Sequence, residues 1–561
     1  MLNEISLLVG GKAGEGVRST GYIISRILNR HGLNVFIRDD YQSLIEGGHN
    51  FSQIRASSKE TWGHYERADL IAALDQKTVD LHEKELVSNG HMLYDSEEVT
   101  YSGSGKALSI PLLKMVKEIK GLKIMRNSAL IGAVTYLYGL DLTEVNAVLT
   151  KIYREKAEKN LVLAKKGYEY AEKNFDRIGE VKRIDRPPKP LLTGNQCIAL
   201  GAVKAGLKVY IAYPMTPSTS ILHFLAGHQD DLGLTVVQPE NEIAVINMAL
   251  GASYAGARSM VATSGGGFAL MQEAISMSGM TEVPVLIVEC QRGGPSTGVA
   301  TYTSQADLKF VINAGHGDFP KVVVAPGDTE EAFYKTAEAL NLAWKYQIPV
   351  IILSDKHLSE SYKTTSINES NVSKEEVKMA NGGSGYKRYE LTEDGISPLT
   401  FPGTPGAVVK VNSYEHDSNG YATEQPELIN KMQEKRLKKY AQIVADLRSR
   451  ETVKIYGEKD ADNLIVSWGS TKGAVLEAMK VLKQKFKFLH VIYLKPFPVW
   501  EVEKHVDKAK NVISVECNSS GQFASLLREE TGFLVNKKIL KYDSRPFDPE
   551  NLANRIEEVL E

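Results

Sequence analysis

Apolar residues in this chain gather in short unbroken runs, separated by glycine, proline and charged clusters, with helical-period segments between them. Near the start, "ISLLVG" reads as a buried strand and "VRSTGYIISRILNRHG" as a helix with a glycine just past its end. "NVFIRDD" is the next strand and "LIAAL" a further short one. Strand, glycine loop, helix, strand is the βαβ signature of an open parallel sheet. Beyond Asp141, "LTEVNAVLTKIYREKAEKNLVLAKKGYEYAEKN" carries recurring apolar positions and Glu/Lys pairs that suit a long, partly exposed helix. "RIDRPPKPLLTGN" ends it, because Pro187, Pro188 and Pro190 cannot continue a helix, and marks a domain boundary.

A second series occupies 192–360, with "KVYIAY", "LTVVQ", "SMVATS", "VPVLIVEC", "KVVVAP" and "PVIILSD" as strands and helix-like stretches between them. Runs of Val, Ile and Leu without alternation mean strands covered on both faces. The Gly-, Pro-, Ser- and Asn-rich stretch 363–425 reads as an ordered but irregular connection, and the charged helix "PELINKMQEKRLKKYAQIVADLRSR" follows it. A third α/β unit closes the chain with "NLIVSWGS", "LHVIYLKPFP" and "NVISVECNSSGQ". The expected architecture is α/β with three parallel-sheet domains: 1–180 with a helical tail, 192–360, a connector at 361–459, and 460–561.

Composition narrows the function classes. At 561 residues the chain exceeds a single core. With 43% hydrophobic and 24% charged residues it has the make-up of a soluble globular protein, and a formal charge of −2 leaves no footprint for nucleic acid. No apolar run is long enough to span a bilayer, and the amino terminus lacks the basic flank of a signal peptide, so a membrane role is not expected. Cys197, Cys290 and Cys517 lie far apart, which gives neither a local zinc or iron–sulfur ligand set nor a disulfide framework and fits a reducing cytoplasm.

Four loops carry candidate chemistry, each placed straight after an apolar run. "YPMTPSTS" (213–220) is an unusually stiff polar turn. In "QPENEIAVINMALGAS", Glu240 and Glu242 open an apolar helix; acidic side chains there favour the helix dipole, while a carboxyl at so buried a mouth also suits proton exchange with a ligand. "TSGGGFALMQE" leaves room at Gly265–Gly267 for something bulky, or is a plain turn. In "ECQRGGPSTG", Arg292 is either solvated or a bidentate clamp for a carboxylate. A fifth loop, "GGKAGEGV" (10–17), has neither the dinucleotide glycine order nor a G-K-[ST] phosphate loop. Glu15 would repel a phosphate, so a tight turn with close helix packing is the stronger reading of that loop and an anion site the weaker.

Together these motifs resemble the 2-oxoacid:ferredoxin oxidoreductases, specifically a chain that fuses the family's gamma and alpha subunits. "GGKAGEGV" and "DDYQSLIEGGHNFSQIRAS" look like its gamma domain, and the four loops, in order, like its pyrimidine-binding domain. "LKPFP" and "VECNSSGQ" look like its transketolase-C-terminal-type domain. The resemblance implies decarboxylation of a 2-oxoacid on thiamine diphosphate, acyl transfer to coenzyme A and electron transfer to ferredoxin, or the reverse carboxylation. It places Glu242 where the family has the glutamate that hydrogen-bonds N1′ of the aminopyrimidine, favouring the imino tautomer that acts as base. It places Tyr213, Pro214 and Met215 beside the pyrimidine, and Thr216 and Arg292 near the 2-oxoacid carboxylate.

The family's G-D-G…N motif for diphosphate and magnesium is absent, as are cluster cysteines. The resemblance therefore implies a beta subunit carrying Mg2+ and a [4Fe-4S] cluster, in a dimer of gamma–alpha/beta heterodimers. The fusion and the stretch "ISPLTFPGTPGAVVKVNSYEHDSNGYATEQ" look most like the 2-oxoglutarate branch, with pyruvate or a branched-chain 2-oxoacid as alternatives. A non-catalytic nucleotide- or anion-binding protein on the same α/β units is the competing reading.

Overall fold

The computed structural model describes residues 2–42 and 48–561, so the "SLIEG" part of the gamma-like motif lies outside the described residues. The chain forms two compact units, one of Met1–Leu192 with Ser361–Ser366 and Asp548–Asn551, the other holding the rest. The fold is α/β with three sheets in which parallel pairing dominates.

The first unit is built on an eight-stranded sheet. Its centre differs from a simple βαβ unit. The strands Glu4–Lys12 and Asn34–Asp40 are not neighbours, because His49–Ser57 lies between them and pairs antiparallel with both. Polar side chains fill this intercalated strand, yet they are buried: Ser52 donates to Asp39 at 2.5 Å and Arg55 pairs with Glu4 at 3.0 Å. The segment after Asp141 is likewise not one long helix. Leu142–Tyr153 ends at Arg154, whose φ is +50°, and Ala157–Asn174 starts anew. The break lets Ala157–Asn174 lie against the apolar helix Arg126–Leu137, with Gly132 and Gly167 at the crossing.

The second unit holds the site. Its seven-stranded sheet runs, edge to edge, Tyr493–Lys495, Val322–Val324, Pro349–Asp355, Val285–Gln291, Ser259–Thr263, Val209–Ile211 and Thr235–Val237. All pairs are parallel except the first. The exception comes from "LHVIYLKPFP", which divides into two strands. Phe486–Val491 joins the five-stranded sheet of the carboxyl-terminal region, and Tyr493–Lys495 crosses to edge the seven-stranded one. The two sheets share a core in which Val261, Ile287 and Leu353 belong to the same cluster as Trp468, Leu489 and Phe523. Residues 372–425 carry no helix or regular strand, but Arg388 and Tyr389 are buried and donate to the Thr281 and Glu282 carbonyls.

Candidate functional site

Four adjacent parallel strands, Val285–Gln291, Ser259–Thr263, Val209–Ile211 and Thr235–Val237, point their carboxyl ends the same way. The loops carrying Arg292, Gly265–Gly267, Thr216 and Glu242 leave those ends, as expected for ligand sites of open parallel sheets.

Glu242 is the first residue of the helix Glu242–Tyr254. Asn241 caps that helix by accepting from the Ala244 N–H at 3.0 Å, whereas Pro239 and Glu240 lie before it and Glu240 is exposed. Val245, Ile246, Ala249 and Leu250 form the face buried against the sheet. Glu242 is only 3% exposed, and its Oε1 has no hydrogen-bond partner. An unmatched polar atom at that depth costs about 1–3 kcal/mol, so the position is selected for something other than stability.

The glycine run makes room beside this carboxyl. A Cβ on Gly267 would stand 2.6 Å from Glu242 Oε1 and 2.1 Å from Thr263 Oγ1. Gly266, by contrast, has nothing within 4 Å of its Cβ position. Thr263 Oγ1 in turn approaches Met215 Sδ at 3.7 Å, which links the glycine loop to the polar turn.

That turn is held from behind. Buried Asn195 donates to the Pro217 carbonyl and to Ser220 Oγ, both at 2.8 Å, while Ser218 Oγ donates to the Met215 carbonyl at 2.8 Å. Met215 and Thr216 are thereby half-buried and fixed, and Tyr213 stands out with 39% exposure. Arg292 Nη1 donates to the Thr216 carbonyl at 2.9 Å. The Arg292 loop closes on itself where Val299 N–H donates to the Gly293 carbonyl at 2.6 Å, and only glycine fits at position 298, where a Cβ would meet that carbonyl at 1.8 Å.

Glu242, Gly267, Thr263, Met215, Thr216 and Arg292 thus form one contiguous series. The sequence reading did not single out Thr263, Asn195 or Glu289. Glu289 was nonetheless visible as the lone acid in the apolar run "VPVLIVEC". It is fully buried with both carboxyl oxygens unpartnered. Burial, then Asp307 and Asp355, push it well above the ordinary carboxylate range, against the opposing pull of Arg292.

In the first unit, the "GGKAGEGV" loop is a tight turn with positive φ at Gly14 and Gly16. Glu15 points inward to Arg126 at 2.7 Å and to Lys123 at 3.2 Å, and the Glu15 carbonyl accepts from Asn127 at 2.7 Å. Among the described residues no group of three or more His, Cys, Asp or Glu could hold a metal ion, and no helix is long and apolar enough to cross a membrane.

Residues 200–435 match the family described as pyruvate flavodoxin/ferredoxin oxidoreductase, thiamine diphosphate-binding, and residues 6–170 match pyruvate ferredoxin/flavodoxin oxidoreductase. The 2-oxoacid:ferredoxin oxidoreductase subunit alpha of Saccharolobus solfataricus is 32% identical over 629 aligned positions, spanning 100% of this chain and 98% of its own. The 2-oxoglutarate oxidoreductase subunit KorA of Mycobacterium tuberculosis is 28% identical across 94% of this chain and 87% of its own. The structure of 2-oxoglutarate:ferredoxin oxidoreductase from Magnetococcus marinus, with 2-oxoglutarate, coenzyme A and succinyl-CoA bound, superposes over 100% of both chains with a TM-score of 0.91 and 34% identity. With the ordered loops on one sheet edge and a relative matched end to end, the chain belongs to the 2-oxoacid:ferredoxin oxidoreductase family, as an alpha subunit.

Proposed function

We propose that this chain forms the aminopyrimidine-binding half of a thiamine diphosphate site that oxidatively decarboxylates 2-oxoglutarate, with coenzyme A as acyl acceptor and ferredoxin as electron acceptor. The observation that carries the reading is the buried Glu242 carboxyl with an unpartnered oxygen, packed against Gly267 where no side chain would fit, with open space at the neighbouring Gly266. Those residues fit the cofactor: a carboxyl in apolar surroundings accommodates a ring nitrogen's proton, and Tyr213, Pro214 and Met215 flank the same loops. Thiamine diphosphate, when bound, supplies the electron sink that 2-oxoacid decarboxylation needs.

Glu242 holds and returns a proton at its buried Oε1. Thr216 and Arg292 orient the substrate carboxylate, Arg292 itself being steadied by the Thr216 carbonyl. The choice of 2-oxoglutarate is supported by the names of the Mycobacterium and Magnetococcus relatives. Around Glu242 the surface is apolar, with Ile243 at 51%, Met248 at 42%, Leu270 at 50% and Phe310 at 37% exposure. Such a patch suits a beta subunit that completes the site with the diphosphate, Mg2+ and a [4Fe-4S] cluster.

Co-expression with the beta-type partner and viologen reduction by a panel of 2-oxoacids tests the reading. Glu242→Gln is expected to lower kcat by about 10²–10⁴-fold while leaving the complex assembled. Undiminished turnover in that variant would refute the role of Glu242. A kcat/KM for pyruvate above that for 2-oxoglutarate would refute the substrate.

A further inference from the structure

Among the described residues Arg292 has no carboxylate within ion-pair distance, and its one hydrogen bond there is to a carbonyl. Burial pushes its guanidinium below the ordinary value, and a half-buried cation without a counter-ion is a site that demands an anion. Yet an acid is close by. Glu289 lies three residues earlier, on the strand that leads into the Arg292 loop, paired in register with Thr263 on one side and Leu353 on the other.

What keeps Glu289 from neutralising Arg292 is its surroundings. Its side chain is 0% exposed and receives no hydrogen bond at either oxygen. Two further acids, Asp307 and Asp355, act on it, and Arg292 is the one cation that does so appreciably. Asp355 is solvated by the protein, accepting from Thr303 Oγ1 at 3.2 Å and from the Leu358 N–H at 3.0 Å. Asp307 stands at the start of the helix Leu308–Ile312, with its Oδ2 2.8 Å from the Cβ position of Gly265. Burial raises Asp307 and Asp355 as well as Glu289, and of the three Glu289 is the one with both carboxyl oxygens buried and unpartnered, so it is the one that keeps its proton.

Resting on the reading of Arg292 as substrate clamp, we propose that Glu289 is a positioning residue that, by staying protonated, leaves the Arg292 charge available to the substrate's carboxylate. An ionised Glu289 would supply from within the chain the anion that the site is built to take from the 2-oxoacid. The acid therefore governs affinity rather than the chemical step, and its effect falls on KM.

The test uses the complex of this chain with its beta-type partner, with KM and kcat for 2-oxoglutarate followed from pH 6 to 10. Because a raised carboxyl is neutral below its folded value and ionises as pH climbs through it, KM rises on the alkaline side, by about tenfold per pH unit once past that value. Asp307→Asn removes the leading like charge and shifts the rise to lower pH, with kcat little changed. Glu289→Gln, neutral at every pH, abolishes the rise in both the wild-type and the Asp307→Asn backgrounds. A purely structural Glu289 would leave the profile where it was.

An infrared difference spectrum of wild type minus Glu289→Gln at pH 7 that lacks the carbonyl band of a protonated carboxyl overturns the proposal, as does a tenfold higher KM in Glu289→Gln at pH 7, which would mean that an ionised carboxylate is needed. Arg292→Met separates the two layers of the inference. An unchanged KM in that variant refutes the clamp itself, whereas a raised KM together with the absence of that band refutes only the role of Glu289.

Discussion

Adding one methyl group at Gly267 tests how tightly the site is built. A Cβ there would stand 2.6 Å from Glu242 Oε1, 2.7 Å from Glu242 Cγ and 2.1 Å from Thr263 Oγ1. To reach an ordinary contact of 3.4 Å, Glu242 Oε1 must withdraw by about 0.8 Å and Thr263 Oγ1 by about 1.3 Å. Rotating the carboxylate end alone does not relieve the clash, since Cγ is just as close. Glu242 and Thr263 are both buried, so neither can swing into solvent.

Two opposing terms decide the stability of Gly267→Ala. Overpacking costs about 1–3 kcal/mol. Alanine in place of a helical glycine returns about 0.5–1 kcal/mol. The net loss lies between zero and about 2.5 kcal/mol, a few degrees in the unfolding temperature at most. Catalysis is hit harder, because displacement of a reacting group by about 1 Å costs on the order of 10²-fold in rate. The assay pairs a thermal melt with viologen reduction over a thiamine diphosphate titration. A folded variant with a hundredfold lower kcat and weaker cofactor dependence is expected. Wild-type kcat with unchanged cofactor dependence would show that Gly267 does not set the place of Glu242.

Three further outcomes follow from other parts of the chain. Gly167→Ala should destabilise the first unit by at least about 1–3 kcal/mol, since a Cβ there would lie 1.9 Å from the Ala129 carbonyl, and Gly132 makes the reciprocal approach to Ala164; a thermal melt that matches wild type would refute this. Arg126→Met leaves Glu15, Asp95 and Glu98 short of their shared cation, with Asp95 fully buried, and should cost about 3–5 kcal/mol by chemical denaturation. Lys439 is fully buried against Glu282, and burial together with Lys435 and Arg388 brings it down to about 7. An unfolded lysine keeps its proton to about pH 10, so the unfolded state binds more protons between about 7 and 10 and stability should rise over that window. Lys439→Met should remove that component, and denaturation curves that stay parallel for the two proteins from pH 7 to 10 would refute the assignment.

Strands such as "VPVLIVEC" and "PVIILSD" were legible because they are buried on both faces and so appear as apolar runs, whereas the site strand Thr235–Val237 is only partly buried. What escaped the sequence reading is buried polarity. His49–Ser57 is a central strand, but its buried Ser52, Gln53 and Arg55 side chains bond to Asp39, the Tyr65 carbonyl and Glu4, so neither an apolar run nor alternation marks it. The break at Arg154 was hidden for a related reason: periodicity continues on both sides of it, and only the close approach of Gly132 and Gly167 requires the chain to fold back.

At the site the same logic runs in reverse. Glu240 and Glu242 stand out in the sequence because acids open an apolar helix, and the family resemblance selects Glu242 between them, whereas Glu289 interrupts an apolar strand in the same way without being singled out. The difference lies in what each conflict with local rules signifies. A glutamate at a helix start has a ready electrostatic explanation and still proves to be buried with an unmatched oxygen. One in the middle of a buried strand has no such explanation, so it is the stronger signal of the two. In this fold an acid inside a strand covered on both faces is carried at a cost in stability, and the opposing effects of Asp307 and Arg292 on Glu289 tie that cost to the charge balance around the Arg292 loop.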